Sequence, residues 1–121
     1  MTPLEFLAVV LPSPANGLYC AAELTTKKKE HNFVEHLEEL PPAVAKWGDN
    51  KDIYFALSTF ENKGKRTADN ARCIRSLFID MDGYESKKSA ALALNDFLVK
   101  TGLDLLGAPY IVDSGGGLHC Y

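Results

Sequence analysis

The segment LFIDMDG, residues 77–83, combines an apolar run with two aspartates. Its first three residues are all apolar, which is typical of a strand in the middle of a buried sheet. Because side chains along a strand alternate between its two faces, Asp80 and Asp82 are predicted to point the same way. We therefore expect a strand over residues 74–81 that presents two carboxylates where it leaves the sheet.

These two carboxylates predict a metal site. Like charges held side by side repel each other unless a cation neutralises them. Carboxylate oxygens suit hard cations, so Mg²⁺ or Mn²⁺ is the expected cofactor at Asp80 and Asp82. The alternative interpretation is a plain solvated turn after a strand, because aspartate is also common in turns.

A second motif, IVDSGGGLH, spans residues 111–119. Three successive glycines allow a sharp turn with exposed amide groups, which a bulky anion can approach closely. A serine hydroxyl and a histidine ring supply further donors for phosphate oxygens. A glycine-rich hairpin with a surface histidine is the alternative. The motif predicts a triphosphate site formed by Ser114, Gly115, Gly116, Gly117 and His119.

The remaining patterns predict an α+β domain in which a mixed sheet is flanked by helices. Apolar, β-branched and aromatic runs predict strands, whereas apolar residues at helical spacing between capping residues predict helices. The predicted elements are a helix or strand at 4–11, a strand at 18–24, a helix from Asn32 to Leu40, a second helix ending near Trp47, a strand at 53–60, a helix over 91–101 with Gly102 as its C-cap, and a buried strand at 110–112.

Composition indicates one globular domain, with 121 residues of which 46% are hydrophobic and 24% charged. The net charge is −3, so the total does not indicate a nucleic-acid-binding protein. The polar loop and its flank over residues 61–75 carry a local excess of positive charge, however. Its basic side chains are candidates for nucleic-acid contact on charge alone, namely Lys65, Arg66, Arg72 and Arg75.

The three cysteines are widely spaced and odd in number, which argues against a disulfide framework and against a paired-cysteine zinc site. A reducing compartment is therefore expected. The N-terminal apolar stretch has no preceding basic residue and is interrupted by Glu5, so it predicts neither a signal peptide nor a membrane span. These observations predict a cytoplasmic protein.

With both motifs in this order, the sequence resembles the archaeo-eukaryotic primase superfamily, and most of all the primase-polymerase domain of phage and plasmid replication proteins. That family shows a strand ending in an acidic D-x-D or D-x-E motif, followed by a helix and by a strand ending in a serine, a glycine-rich turn and a histidine. Residues 77–82 and 112–121 match these segments. Residues 53–58 and the basic loop are also similar, so the resemblance extends from about Asp52 to Tyr121.

The resemblance implies an RRM-like catalytic module at about residues 51–121, fused to an N-terminal α/β unit at about residues 1–50. It implies template-directed nucleotidyl transfer with two divalent metals, nucleoside triphosphates as substrates, a single-stranded DNA template and a fused or associated helicase. Under it, Asp80 and Asp82 bind metal, and His119 joins them as a catalytic residue that also holds the triphosphate with Ser114.

The sequence departs from the family in one respect, because it shows no clear match for a third carboxylate. The family places this further metal ligand later in the chain. Asp113 is no clear substitute for it, because Asp113 precedes the serine in its strand. The expectation is therefore an incomplete catalytic domain, a fragment of a longer protein, that binds nucleotide and Mn²⁺ but synthesises weakly or not at all.

Two other functions fit parts of the sequence. Residues 78–83 also resemble the first motif of haloacid-dehalogenase-type phosphatases, with Asp80 as the nucleophile and Asp82 as the acid-base, although His119 then has no role. The basic loop and the aromatic residues on strands fit a non-catalytic module that binds single-stranded nucleic acid.

Overall fold

A computed structural model describes all 121 residues, Met1 to Tyr121. The fold is α+β as predicted, but it contains three small antiparallel sheets instead of one mixed sheet. The chain divides into two compact units, Met1–Ser76 and Leu77–Tyr121, which are called unit 1 and unit 2. None of the helices combines the length and the apolar character needed to cross a membrane.

Unit 1 contains two helices and five strands. They are α1 (Pro3–Val10), β1 (Tyr19–Glu23), β2 (His31–Val34), α2 (Leu40–Ala45), β3 (Ile53–Phe55), β4 (Ser58–Phe60) and β5 (Ala71–Ile74). The sequence left residues 4–11 open between helix and strand, and they form α1. Thr2 explains this choice, because its hydroxyl accepts from the Glu5 amide while the Glu5 carboxylate accepts from the Thr2 amide.

The core of unit 1 is built around β1, whose five residues are all buried. The strand lies between two antiparallel neighbours, β2 and β3. Its one charged residue, Glu23, accepts hydrogen bonds from the amides of Thr25 and Thr26 and from the Thr26 hydroxyl. These bonds are the leading reason why the pKa of the Glu23 carboxyl is lowered.

The helix predicted from Asn32 to Leu40 is wrong. Residues 31–34 form β2, because they pair with β1 in a register that places Asn32 opposite Ala21. A 3₁₀ turn at Leu37–Glu39 then leads into α2. The tertiary pairing overrides the local capping pattern, although α2 itself ends near Trp47 as predicted.

The strand predicted over residues 53–60 is divided in two. Its first part, β3, pairs with β1, whereas its second part, β4, pairs with β5 in a separate two-stranded sheet. Strand β3 therefore belongs to the N-terminal sheet, and the division between the two compact units falls after Ser76.

Unit 2 contains β6 (Ile79–Met81), α3 (Lys87–Thr101), β7 (Ile111–Asp113) and β8 (Leu118–Cys120). The sheet order is β6-β8-β7, so the last strand lies in the middle. Helix α3 begins after Ser86, whose hydroxyl accepts from the Ser89 amide. It ends at Gly102, the predicted C-cap, which adopts a left-handed φ of 76°.

The core of unit 2 lies between α3 and one face of this sheet. Its buried members are Met81, Ala90, Leu94, Leu118 and Cys120. The prediction of a buried strand over residues 74–81 is therefore wrong in length and in burial. Leu77 and Phe78 are 61% and 44% exposed, and both precede Ile79, the first residue of β6. The strand predicted as buried at 110–112 is likewise exposed along β7.

Candidate active site

The register of the unit 2 sheet brings the two sequence motifs together. Strand β6 is antiparallel to β8, and Asp80 lies directly opposite His119. The distance from His119 Nε2 to Asp80 Oδ1 is 3.7 Å, with side-chain exposures of 33% and 54%. Their strand neighbours Met81 and Leu118 belong to the core beneath α3. Since side chains alternate, Asp80 and His119 lie on the opposite, open face of the sheet.

Asp82 lies immediately after the last residue of β6 and is exposed. Its Oδ1 accepts a hydrogen bond of 2.9 Å from the Gly83 amide. The same oxygen is 3.8 Å from the position that a Cβ on Gly116 would occupy. The second aspartate is therefore adjacent to the glycine turn, while the first faces the histidine.

The glycine turn has a defined geometry in which two of its three glycine amides already have partners. The Gly115 amide donates to Asp113 Oδ1 over 2.9 Å, and the Gly117 amide donates to the Ser114 hydroxyl over 3.2 Å. The Ser114 amide closes the turn on the Gly117 carbonyl. The Gly116 amide makes no hydrogen bond within the turn and remains the one most directly available to an anion.

Two of the glycines are required by this backbone. Gly115 has a φ of +90°, which L side chains rarely adopt. A Cβ on Gly117 would lie 2.2 Å from the Met81 carbonyl oxygen, so the turn lies directly against the end of β6. The glycine run therefore serves the close approach of the second motif to the first.

Asp113 belongs to the other face of the sheet, because it is opposite the buried Leu118. Its carboxylate accepts a hydrogen bond from Lys87 Nζ in the first turn of α3. This contact, followed by the Gly115 amide, lowers the pKa of the Asp113 carboxyl. Asp113 and Asp80 therefore lie on different faces of the sheet.

Lys87 was not among the residues predicted from the sequence. A lysine in the first turn of a helix is usually a solvated residue, and nothing local connects it to a turn more than twenty residues later. Only the packing of α3 on the sheet brings it to Asp113.

The open face also carries aromatic rings that the sequence analysis did not select. Phe78 packs edge-on against His119, with centroids 5.3 Å apart, and its ring is 5.1 Å from Tyr121. Burial, followed by the charge of Asp80, raises the pKa of the Tyr121 hydroxyl. The signal was the period of two in the sequence, since Phe78 precedes Asp80 by two residues and Tyr121 follows His119 by two.

The predicted nucleic-acid residues all lie in unit 1, whereas the motif residues lie in unit 2. Arg72 is within 3.8 Å of Glu61, and Arg75 donates to the Ala8 carbonyl over 3.1 Å. Neither Lys65 nor Arg66 forms an ion pair. Lys65 and Arg66 are therefore more available to contact a phosphate than Arg72 and Arg75 are.

For a divalent cation, the fit of the residues is partial. Asp80 and Asp82 offer exposed oxygen ligands of the kind that Mg²⁺ and Mn²⁺ prefer. No group of three or more histidine, cysteine, aspartate or glutamate side chains is arranged to hold a metal ion. The protein can therefore supply carboxylates to a cation that also takes oxygens from a bound phosphate or from water.

Comparison with protein-family models, with curated proteins and with solved structures gives no match to this chain. Function therefore has to be inferred from the residues and their geometry.

Proposed function

We propose that this chain carries the nucleotide- and metal-binding motifs of a primase-polymerase, a nucleotidyltransferase that copies a DNA template with two divalent cations. The observation that carries the proposal is the β6–β8 register, in which Asp80 lies opposite His119. In addition, the turn that precedes β8 packs against the end of β6 through Gly117. The two aspartates and the glycine turn are thereby adjacent in one small sheet.

Each residue has a defined role in this proposal. Asp80 and Asp82 would hold Mg²⁺ or Mn²⁺, whose chemistry is activation of the attacking 3′-hydroxyl and stabilisation of the leaving pyrophosphate. His119 donates to a phosphate oxygen, and its proximity to Asp80 orients the imidazole. Ser114 and the Gly116 amide bind the outer phosphates. The DNA template, a fused or associated helicase and a cytoplasmic location belong to the same proposal.

The open face of the sheet supports nucleotide binding beside these groups. Phe78 and Tyr121 present ring surface next to His119, and a nucleobase stacks on such rings. Weak synthesis by the chain alone belongs to the same proposal, because two carboxylates would leave one of the two cations with few protein oxygens.

Isothermal titration calorimetry with dATP and Mn²⁺ tests the proposal. We expect Asp80→Asn and Asp82→Asn each to weaken Mn²⁺-dependent binding by about 10-fold or more, because each removes a charge that contacts the cation. His119→Gln should weaken binding by a smaller factor. Asp96→Asn is the matched control, since Asp96 is an exposed aspartate of α3 paired only with Lys100, and it should change the affinity less than about 2-fold.

Two results would contradict the proposal. One is dATP binding of equal strength in Mn²⁺ and in EDTA. The other is an affinity that falls as much in Asp96→Asn as in the two motif variants. Release of inorganic phosphate that is blocked by Asp80→Asn would instead identify the phosphatase alternative, in which Asp80 is the nucleophile.

A further inference from the structure

An open groove of about 430 Å³ lies in unit 1, and none of the residues that line it belongs to the two motifs. One face of the two-stranded sheet forms its floor, where Ser58 pairs with Ile74 and Phe60 pairs with Ala71. Phe60 is buried, whereas Ile74 is 58% exposed, so Ile74 is a large apolar side chain that the floor presents to a ligand. Its volume lies in the range of about 300–1,000 Å³ that is typical of ligand sites.

The rim of this groove is positively charged. Arg66 lines it together with Thr67 and Ala68. Lys63 and Lys65 precede Arg66 in the same loop, and none of the three basic residues forms an ion pair. Within a chain of net charge −3, this is a local concentration of unpaired cations beside an apolar face.

The loop that carries these cations is held in place by one buried residue. The Asn70 side-chain amide donates to the carbonyls of Asn62 and Lys65, both over 2.9 Å. Its oxygen accepts from the Asn62 amide, and its own carbonyl accepts from the Glu61 amide. The loop thus has fixed anchor points at both ends, which limits the ordering cost of binding a ligand there.

We infer that this groove binds single-stranded DNA, with a base against the face formed by β4 and β5 and the adjoining phosphates on Lys63, Lys65 and Arg66. The chemistry of the groove selects this partner, because a single strand alone offers free base faces together with a regular row of negative charges. The bases of a duplex are stacked and paired, so they cannot lie on the groove floor. A duplex could contact only the rim.

This inference deepens the proposed function by locating the template strand, and it rests on that function only for the strand's role as a template. The binding itself needs neither Asp80 nor Asp82 nor a divalent cation. It can therefore be measured separately from nucleotide binding.

Fluorescence anisotropy of the full chain with a labelled oligothymidylate of about 12 nucleotides, in EDTA, tests the inference. The charge-reversal pair Lys65→Glu with Arg66→Glu should weaken binding by about 10-fold or more, and should reduce the slope of log K against log salt by about 1.4. The matched control is Lys27→Glu with Lys28→Glu, which makes the same charge change in the exposed segment after β1. That control should alter binding by less than about 2-fold.

An oligonucleotide with abasic sites separates base contacts from phosphate contacts in the unaltered protein. We expect the abasic strand to bind at least about 5-fold more weakly, since it lacks the base that would cover the exposed Ile74 side chain. Ile74→Ser, a change at an exposed position, should weaken binding of the normal strand but not of the abasic one.

Equal affinity for the normal and abasic strands would overturn the inference, and so would equal losses in the two charge-reversal pairs. A duplex of the same length that binds as tightly as the single strand would also overturn it. Because all these measurements are made without metal or nucleotide, a failure here leaves Mn²⁺-dependent dATP binding unaffected. Conversely, normal binding by Asp80→Asn would support this site even if the proposed function failed.

Discussion

Unit 1 and unit 2 differ in how their residues are divided between core and surface. In unit 1 the core surrounds β1, which is buried along its whole length, and contributions come from α1, α2 and β4. In unit 2 the core is five buried residues between α3 and one sheet face. Most of the large hydrophobic residues that the chain exposes belong to unit 2, including Phe97, Val99, Leu105, Leu106 and Ile111.

The contrast between the two cores indicates that the candidate site and the larger core lie in different units. Both sequence motifs lie in the unit with the smaller core, on short strands that leave one sheet face open. Binding groups need exposure, and exposed apolar surface contributes little to folding free energy. We therefore expect unit 2 to be the less stable region and to gain the most when a ligand binds.

The largest expected effect comes from a matched pair of core truncations, one in each unit. Leu94 and Leu11 are both 2% exposed. Leu94→Ala and Leu11→Ala should each destabilise the chain by about 3 kcal/mol, because each leaves a cavity in a packed core. Amide hydrogen exchange should show that Leu94→Ala lowers protection mainly in residues 77–121, and Leu11→Ala mainly in residues 1–76.

Hydrogen exchange in these two variants tests whether unit 1 and unit 2 differ in stability. If Leu94→Ala lowers protection equally in both units, the chain unfolds as one cooperative body, and the two units do not differ in stability. Retained protection of β1 amides in Leu94→Ala would support a difference in stability.

A pair of glycine substitutions tests how the motifs are joined within unit 2. Gly117→Ala should cost roughly 2 kcal/mol, because its Cβ would meet the Met81 carbonyl oxygen at 2.2 Å. Gly116→Ala is the control, since its Cβ would find only Asp82 Oδ1 at 3.8 Å, an ordinary contact. Denaturation in urea, with exchange of the β8 amides, measures both.

The steric explanation predicts a clear difference between the two glycine variants. Equal stability of Gly117→Ala and Gly116→Ala would mean that the turn does not approach β6 as closely as described. It would also remove the main structural reason for placing the glycine turn beside the aspartates.

The smallest expected effect concerns the contact between Lys87 and Asp113. The pKa of the Asp113 carboxyl is lowered chiefly by the hydrogen bond from Lys87. A lowered folded-state pKa contributes stability above the ordinary value of 3.8, and that contribution is lost as the pH falls through the folded-state pKa. Lys87→Met should therefore raise the pKa of Asp113 toward its ordinary value, as measured by a carboxyl NMR titration.

The neighbouring Lys88 provides the control for this titration, because it is exposed and forms no ion pair. Lys88→Met should leave the Asp113 titration unchanged. An unchanged titration in Lys87→Met as well would show that the contact is not populated in solution, as is common for exposed ion pairs.

Local signals identified the elements that have strong caps or breakers. Helix α3 was predictable because its apolar spacing ends at Gly102, which is confirmed as the C-cap. The prolines after Leu40 likewise marked α2. The helix prediction was wrong at residues 32–34, because the local capping pattern there competes with pairing to β1. That pairing contributes ladder hydrogen bonds that a local pattern cannot reveal.

Burial was less predictable than secondary structure in unit 2. The apolar residues Leu77 and Phe78 read as the centre of a buried sheet, yet both are exposed. An apolar run indicates that a strand can be buried on both faces. Whether both faces are buried depends on how many layers pack against the sheet. In unit 2, α3 covers one face of the sheet, and Leu77 and Phe78 both precede β6, which begins at Ile79.

Residue types and their spacing define the chemistry available to this protein. The sequence defined two aspartates separated by one residue, a glycine run followed by a histidine, and a basic loop, because these depend only on residue type and spacing. Tertiary structure alone decided that Asp80 lies opposite His119, that Gly117 lies against Met81, and that Lys87 reaches Asp113. The physical reason is that strand register and helix packing bring together residues far apart in the chain, and no local pattern encodes that pairing.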